Sequence, residues 1–273
     1  MRDIEDDFSL LLDAVREAGD LAHARFRSKV KSWRKDDGSF VTEADYAANE
    51  LLEARLAKAR PSYGWLSEET VDDGARLLAQ RVWIVDPIDG TQAFLNGETD
   101  WCVCAALVED GEPICAAVYS PARARTFAAR KGAGATLNGA PLRSPHRSSL
   151  EGARVIASKN LLAPKNWRAP LPRLERVWAN SIAYRISMVA AGEAEVVLAF
   201  TPKWEWDVAA AALIAREAGC EATDGEGAPL RFNAAKPRCD GLLIASPPLH
   251  RLLLARKKPV EKQLQFHLTG EDR

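Results

Sequence analysis

Apolar residues recur at every third or fourth position near the start of the chain: Phe8, Leu11, Leu12, Val15, Ala18, Leu21, Ala22 and Phe26. That spacing predicts an amphipathic helix over residues 6–26. Residues 29–39 are basic and irregular, with a turn signal at Asp37-Gly38. A second helix starts near Thr42, where Thr42-Glu-Ala-Asp45 has the form of a capping box, and runs to about residue 59, short of Pro61. The segment Gly64-Trp-Leu-Ser-Glu-Glu-Thr70 follows, then a short helix-like stretch to residue 80. Residues 81–85 read as a β-branched strand ending at Asp86-Pro87. From Trp101 the pattern turns to strands, 101–108 and 113–119, joined by the hairpin signal Glu109-Asp-Gly-Glu112. A third antiparallel strand is expected at 126–130, with turns at Gly132, Gly134, Asn138 and Gly139. The second half alternates strands (154–158, 176–178, 195–200, 241–245) with helices (181–191, 207–218, 247–256). Gly192 and Gly219 stand where helix C-caps belong.

Helices and strands thus come in blocks around an antiparallel middle, which favours a layered α/β sandwich with mixed sheets over a doubly wound parallel sheet. One domain over 1–273 is expected, with an α+β first half (about 1–145) and an α/β second half (about 153–257). The composition break at 143–152 separates them, and 258–273 reads as a frayed, charged tail.

Composition narrows the classes. With 47% hydrophobic and 27% charged residues the chain is an ordinary globular sequence, neither disordered nor fibrous. Lys+Arg 37 against Asp+Glu 38 leaves a net charge of -1, so no global field draws it to a nucleic-acid polymer or an anionic membrane. Its longest uncharged run, 132–142, is far short of the roughly 18 residues of a membrane span. The acidic start Met1-Arg-Asp-Ile-Glu-Asp-Asp7 is unlike a signal peptide, and a cytoplasmic location is the default expectation. Five cysteines and four histidines, with no His near a Cys, imply neither a disulfide framework nor a thiolate metal site. Cys102 and Cys104 fall on one face of a strand and read as small apolar core residues.

Chemistry concentrates in Trp83-Ile-Val-Asp-Pro-Ile-Asp-Gly-Thr91. An apolar strand delivers Asp86 to its end, Asp89 follows within three residues, and Gly90-Thr91 opens a short helix. Paired carboxylates at a strand end suit a hard cation, and a helix N-terminus beside them suits a phosphate. A strand, an Asp-Pro turn and an N-cap would account for the same string. Glu68-Glu69 by itself is equally well a solvated pair, and Asp207, before Val208-Ala-Ala-Ala-Ala-Leu-Ile-Ala215, an N-cap.

Taken together and in this order, these segments resemble the inositol monophosphatase family of Mg²⁺-dependent phosphatases. The matching pieces are Val41-Thr-Glu-Ala-Asp45, Glu68-Glu69, Asp86-Pro-Ile-Asp-Gly-Thr91, Arg130-Lys-Gly-Ala-Gly-Ala-Thr-Leu-Asn-Gly139, and Trp206-Asp207 leading to Glu217-Ala-Gly219. The resemblance covers nearly the whole chain. It implies an αβαβα sandwich, two or three Mg²⁺ per site, Li⁺ sensitivity, a small phosphorylated metabolite as substrate, and a homodimer. By the same resemblance Glu68, Asp86 and the carbonyl of Ile88 hold a first Mg²⁺, and Asp86, Asp89 and Asp207 a second. Glu69 orients water for a third, Thr91 and Asp45 position and deprotonate the attacking water, and the N–H groups of Gly90 and Thr91 receive the phosphate. A binding protein that kept the fold without turnover would have lost one of these groups. All are present.

Three substrates compete: a 3'(2'),5'-bisphosphate nucleotide, inositol 1-phosphate and histidinol phosphate. Leu66-Ser-Glu-Glu69, Tyr119-Ser-Pro121 and Ser181-Ile-Ala-Tyr-Arg185 look more like the nucleotidases, whereas Ile88 is the common inositol form. Gln92-Ala-Phe94 departs from the inositol type, and Trp204-Glu-Trp206 is not expected of the histidinol group. The balance favours the nucleotidase. Arg185 and Lys203 are candidates to hold a second phosphate, against a reading as exposed charges. Trp204 and Trp206 are candidates to stack on a base, against a core role. Lys35 is left without a role.

Overall fold

The computed structural model describes residues 4–258. All but the first residue of the expected tail therefore lies outside the described residues. Helix α1 (Ile4–His23) buries Leu11, Val15, Ala18 and Ala22 along one stripe, as its periodicity requires. The segment expected to be irregular holds a short antiparallel hairpin, β1 (Ser32–Arg34) and β2 (Phe40–Thr42). Each strand has three residues and β1 is exposed throughout, so no alternation marked it. Thr42 caps α2 (Glu43–Ala59), accepting from the N–H groups of Ala44 and Asp45 while the Asp45 carboxylate accepts from the Thr42 N–H.

β3 (Gly64–Ser67) pairs in parallel with β4 (Arg81–Asp89), and α3 (Thr91–Leu95) follows β4 directly. Antiparallel neighbours then extend the sheet: β5 (Cys102–Glu109), β6 (Glu112–Ser120), β7 (Arg125–Arg130), β8 (Gly134–Leu137) and β9 (Ala140–Leu142). The β5–β6 hairpin turns on Asp110 and Gly111, both at positive φ (51° and 77°), the pair of left-handed residues that matches strand twist. The expected turn glycines are in place, but the short strands β8 and β9 on either side of the Asn138-Gly139 turn were not foreseen.

Past residue 142 the chain builds a second sheet. Its elements are β10 (Ala153–Ile156), β11 (Leu174–Val177), α4 (Ile182–Ala190), β12 (Val196–Ala199), β13 (Lys203–Trp204), α5 (Glu205–Glu217), β14 (Glu221–Thr223), β15 (Arg238–Cys239), β16 (Leu242–Ala245) and α6 (Pro247–Arg256). Five of the strands form a sheet in the order β11-β10-β12-β16-β14, and β13 pairs with β15 apart from it.

Period-two alternation distributes the core into layers. Trp83, Val85, Val103, Ala105 and Leu107 face α1 and α2. Their strand neighbours Val82, Ile84, Cys102, Cys104 and Ala106 face the other way, into a cluster shared with α4, α5 and the second sheet. The far face of that sheet, with Val155, Val196 and Leu243, packs on Leu249 and Leu253 of α6. The order is helix, sheet, helix, sheet, helix: the αβαβα sandwich. Cys102 and Cys104 are buried and unpaired, as small apolar core residues should be.

Candidate active site

The site lies in the middle layer, and strand parity puts it there. Asp86 shares its face with Val82 and Ile84, so its side chain points from β4 toward α4 and α5. Asp86 pairs with Cys104 and Asp89 with Cys102, so three steps on β4 match two on β5. That one-residue bulge turns Asp89 to the face of Asp86; unbroken alternation would have sent it to the opposite side. Pro87 sits within the bulge and has no N–H to leave unpaired. The Ile88 N–H donates to Asp86 Oδ1 at 2.9 Å and tightens the turn.

Gly90 follows at φ 97°, where an added Cβ would meet the Asp100 carbonyl oxygen and the Ser181 Cβ at 3.3 Å. Only glycine fits a left-handed position so enclosed. The N–H groups of Gly90 and Thr91 belong to the first turn of α3, where amides lack intrahelical acceptors.

α5 brings the third carboxylate. Asp207, expected as a metal ligand and readable in isolation as an N-cap, lies inside the first turn; the cap is Trp204, without a side-chain hydrogen bond. The helix starts early because the buried Glu205 carboxylate is fixed by N–H donors from Asn233 (2.6 Å) and Ala234 (3.0 Å). One carboxylate oxygen from each of Asp86, Asp89 and Asp207 lies within 4.8 Å of the others.

Burial, reinforced by the charges of Glu68, Asp89 and Asp207, holds the Asp86 carboxyl well above the usual range. Burial, with the charges of Asp89 and Glu68, does the same to Asp207. Burial lifts Asp89 to about 6 against the pull of three donors. These are the Ser181 Oγ (2.7 Å) and the Ala183 (2.6 Å) and Ile182 (3.2 Å) N–H groups, so the N-terminus of α4 orients this carboxylate. Sequence reasoning missed that role, although Ser181 is a readable N-cap.

Thr91 Oγ1 lies 3.0 Å from Asp45 Oδ1 and 3.1 Å from the Ile88 carbonyl oxygen. Burial raises Asp45 to about 6 against its hydrogen bonds from Thr42 and Thr91, near the pH at which a general base is most useful. Glu68 and Glu69 follow β3, and each has one oxygen 2.7 Å from Lys35 Nζ. Burial raises Glu69 to about 7 despite this ion pair. Burial opposes the Lys35 charge, yet the two glutamates hold its pKa above the ordinary value. Lys35 thus ties the β1–β2 hairpin over the acidic pair. Nothing in its local sequence announced this.

The arrangement is a set of hard oxygen donors whose charges repel until a cation arrives, next to a hydroxyl and a carboxylate that can accept a proton. The inositol monophosphatase family model matches residues 3–258. The chain belongs to this family. The inositol-1-monophosphatase of Rhizobium meliloti is 34% identical over 253 residues, covering 87% of this chain and 92% of that one. The 3'-phosphoadenosine 5'-phosphate phosphatase of Mycobacterium leprae is 36% identical over 222 residues, with 77% and 79% covered. The crystal structure of the extragenic suppressor protein suhB from Bartonella henselae superposes with a TM-score of 0.78 at 26% identity, over 90% of this chain and 96% of that one. Like other inositol monophosphatase family members, this protein is a phosphoric monoester hydrolase for small phosphorylated substrates, of a family that generally uses a divalent metal. No helix among the described residues is long and apolar enough to cross a membrane.

The remaining expected residues sit around this inositol monophosphatase site. Arg185 spends Nε on the Ala179 carbonyl (2.5 Å) and Nη2 on the Asn180 carbonyl (3.1 Å), so two of its five N–H donors are already engaged. Burial lowers its pKa against the charges of Asp89, Asp100 and Asp207, which places it beside the cluster. Lys203 is the freer cation: its Nζ donates to Thr201 Oγ1 at 2.9 Å, and Asp207 faces it electrostatically. Trp204 and Trp206 stack on each other, centroids 4.7 Å apart and planes 12° from parallel. The Arg238 guanidinium lies 3.9 Å from the Trp204 centroid. Trp206 packs against the core. The pair stacks internally, and neither ring stands open to a base.

Proposed function

We propose that the protein is a Mg²⁺-dependent phosphomonoesterase that hydrolyses its substrate with an activated water. The observation that carries this reading is the Asp86, Asp89 and Asp207 cluster standing beside the Thr91–Asp45 pair. The donor set fits the metal, because its buried carboxylates hold unusually high pKa values that a bound cation would relieve. Glu68, Asp86 and the Ile88 carbonyl would hold one Mg²⁺, Asp86, Asp89 and Asp207 a second, and Glu69 would orient water toward a third. Bound there, the cations neutralise the phosphate dianion and acidify water.

The chain's own groups do the rest. Thr91 Oγ1 accepts a proton from the attacking water as Asp45 Oδ1 accepts the hydroxyl proton of Thr91. The first-turn N–H groups of Gly90 and Thr91 receive phosphate oxygens. Among substrates we favour a 3'(2'),5'-bisphosphate nucleotide, supported by the 36% identical relative and by Lys203 as a cation free to meet a second phosphate. Inositol 1-phosphate and histidinol phosphate are the alternatives.

Phosphate release from 3'-phosphoadenosine 5'-phosphate, inositol 1-phosphate and histidinol phosphate, with Mg²⁺ and with a chelator, tests both levels. Asp86→Asn should remove most activity and the Mg²⁺-induced rise in Tm, while the near-isosteric amide leaves the fold intact. Turnover within tenfold of the parent would sink the metal assignment.

A further inference from the structure

We propose that Trp178 is a specificity-determining residue, a stacking platform for a phosphomonoester whose alcohol carries a planar ring. The inference rests on the phosphatase reading and deepens it.

Trp178 is 49% exposed, in the link between β11 and α4. The Arg185 guanidinium lies 3.9 Å from its ring centroid. Because that guanidinium is hydrogen-bonded to the Ala179 and Asn180 carbonyls, the indole rests on a fixed support. A ring held this way loses little further freedom when a second ring stacks on it. The exposed Arg176 guanidinium stands at 5.6 Å from the same centroid, within reach of the ring but on a solvated side chain that a ligand displaces.

The platform is also held in register with the reacting centre. Asn180 N donates to Asp100 Oδ2 at 2.5 Å, Ser181 N to the Asp100 carbonyl at 3.2 Å, and Ser181 Oγ to Asp89 Oδ2 at 2.7 Å. Ser181 lies three positions after Trp178, so their Cα atoms are at most about 11 Å apart. A nucleotide spans that order of distance between its phosphate and its base. The tryptophans closer in sequence to Asp207 are stacked on one another. Trp33, the other half-exposed tryptophan, leans on Tyr46 with centroids 6.0 Å apart and belongs to the hairpin.

The test compares kcat/KM for 3'-phosphoadenosine 5'-phosphate with that for glycerol 2-phosphate, which has no ring, in the parent, Trp178→Ala, Trp178→Phe and Trp33→Ala. Stacking of one base predicts that Trp178→Ala lowers the ratio roughly tenfold to a hundredfold, chiefly through KM. Trp178→Phe should restore it to within about threefold. An unchanged ratio in Trp178→Ala, an equal loss for both substrates, or a ratio that falls only in Trp33→Ala would overturn the proposal. So would a parent that hydrolyses glycerol 2-phosphate but no ring-bearing ester, with the phosphatase reading left standing. A parent inactive on every phosphomonoester with Mg²⁺ would overturn both.

Discussion

The Asp45 carboxylate serves two partners that compete for its charge. Oδ2 closes the cap of α2 through the Thr42 N–H, and Oδ1 faces the Thr91 hydroxyl. Asp45→Asn keeps the shape and one acceptor oxygen but ends proton acceptance, so kcat should fall by about 10²–10⁴ with little change in KM. Asp45→Ala should add a stability loss of about 1 kcal/mol as the cap goes too. Steady-state kinetics and thermal melts of both variants check this; a kcat for Asp45→Asn within threefold of the parent would refute the proton-accepting role. The cap was legible because its two members stand three residues apart. The Thr91 contact spans 46 positions, and only the family resemblance pointed to it. Lys35 shows the limit: its partners are 33 and 34 residues away, brought near by a hairpin too short to leave a pattern.

α5 places Asp207 by being thin. Ala209, Ala210, Ala211 and Ala212 are buried where the helix crosses β4 to β8, and their small side chains let its axis approach the sheet. Ala211→Leu should cost about 1–3 kcal/mol by overpacking, lowering Tm by about 2–4 °C per kcal/mol for a chain of this size. Because the first turn carries Asp207, the same variant should also lose part of its Mg²⁺-induced stabilisation. Differential scanning calorimetry with and without Mg²⁺ reads both, and an unaltered Tm would show that the layer has room to spare. The helix itself was plain from its apolar run, but its start was not. Glu205 is held by groups 28 and 29 residues further on, and no local signal reports that. β13 and β15, two residues each, are likewise too short for any period to mark.

Across the whole molecule, the layer order was readable because long apolar runs name the buried strands and periodic stripes name the covering helices. The site's acidity is a property of the assembled layers. Asp45 and Asp89 at about 6 and Glu69 at about 7 all lie above the roughly 4 of an unfolded carboxyl. A carboxyl with a raised folded pKa penalises the fold once both states are ionised, and the penalty lifts as pH drops through the folded value. For Asp45 alone this amounts to about 3 kcal/mol. Metal-free protein should therefore gain stability as pH falls from about 7 toward about 4.5, and excess Mg²⁺ should abolish that gain by holding the carboxylates ionised. Melting in EDTA and in Mg²⁺ across this range decides it; a Tm that falls on acidification in EDTA would contradict the raised values. The five-stranded sheet carries a different consequence, one of timing. Its last strand in the chain, β16, lies between β12 and β14, so both keep an open edge until residue 245 has been made. At about 5–20 residues per second, a growing polypeptide waits about two to nine seconds between finishing β12 and receiving its partner. Through that interval an apolar strand, Val196–Ala199, offers itself to any neighbouring chain, the usual route to aggregation. Nascent chains arrested at residue 220 should sediment or require a holding chaperone, whereas chains arrested with β16 clear of the ribosome should not.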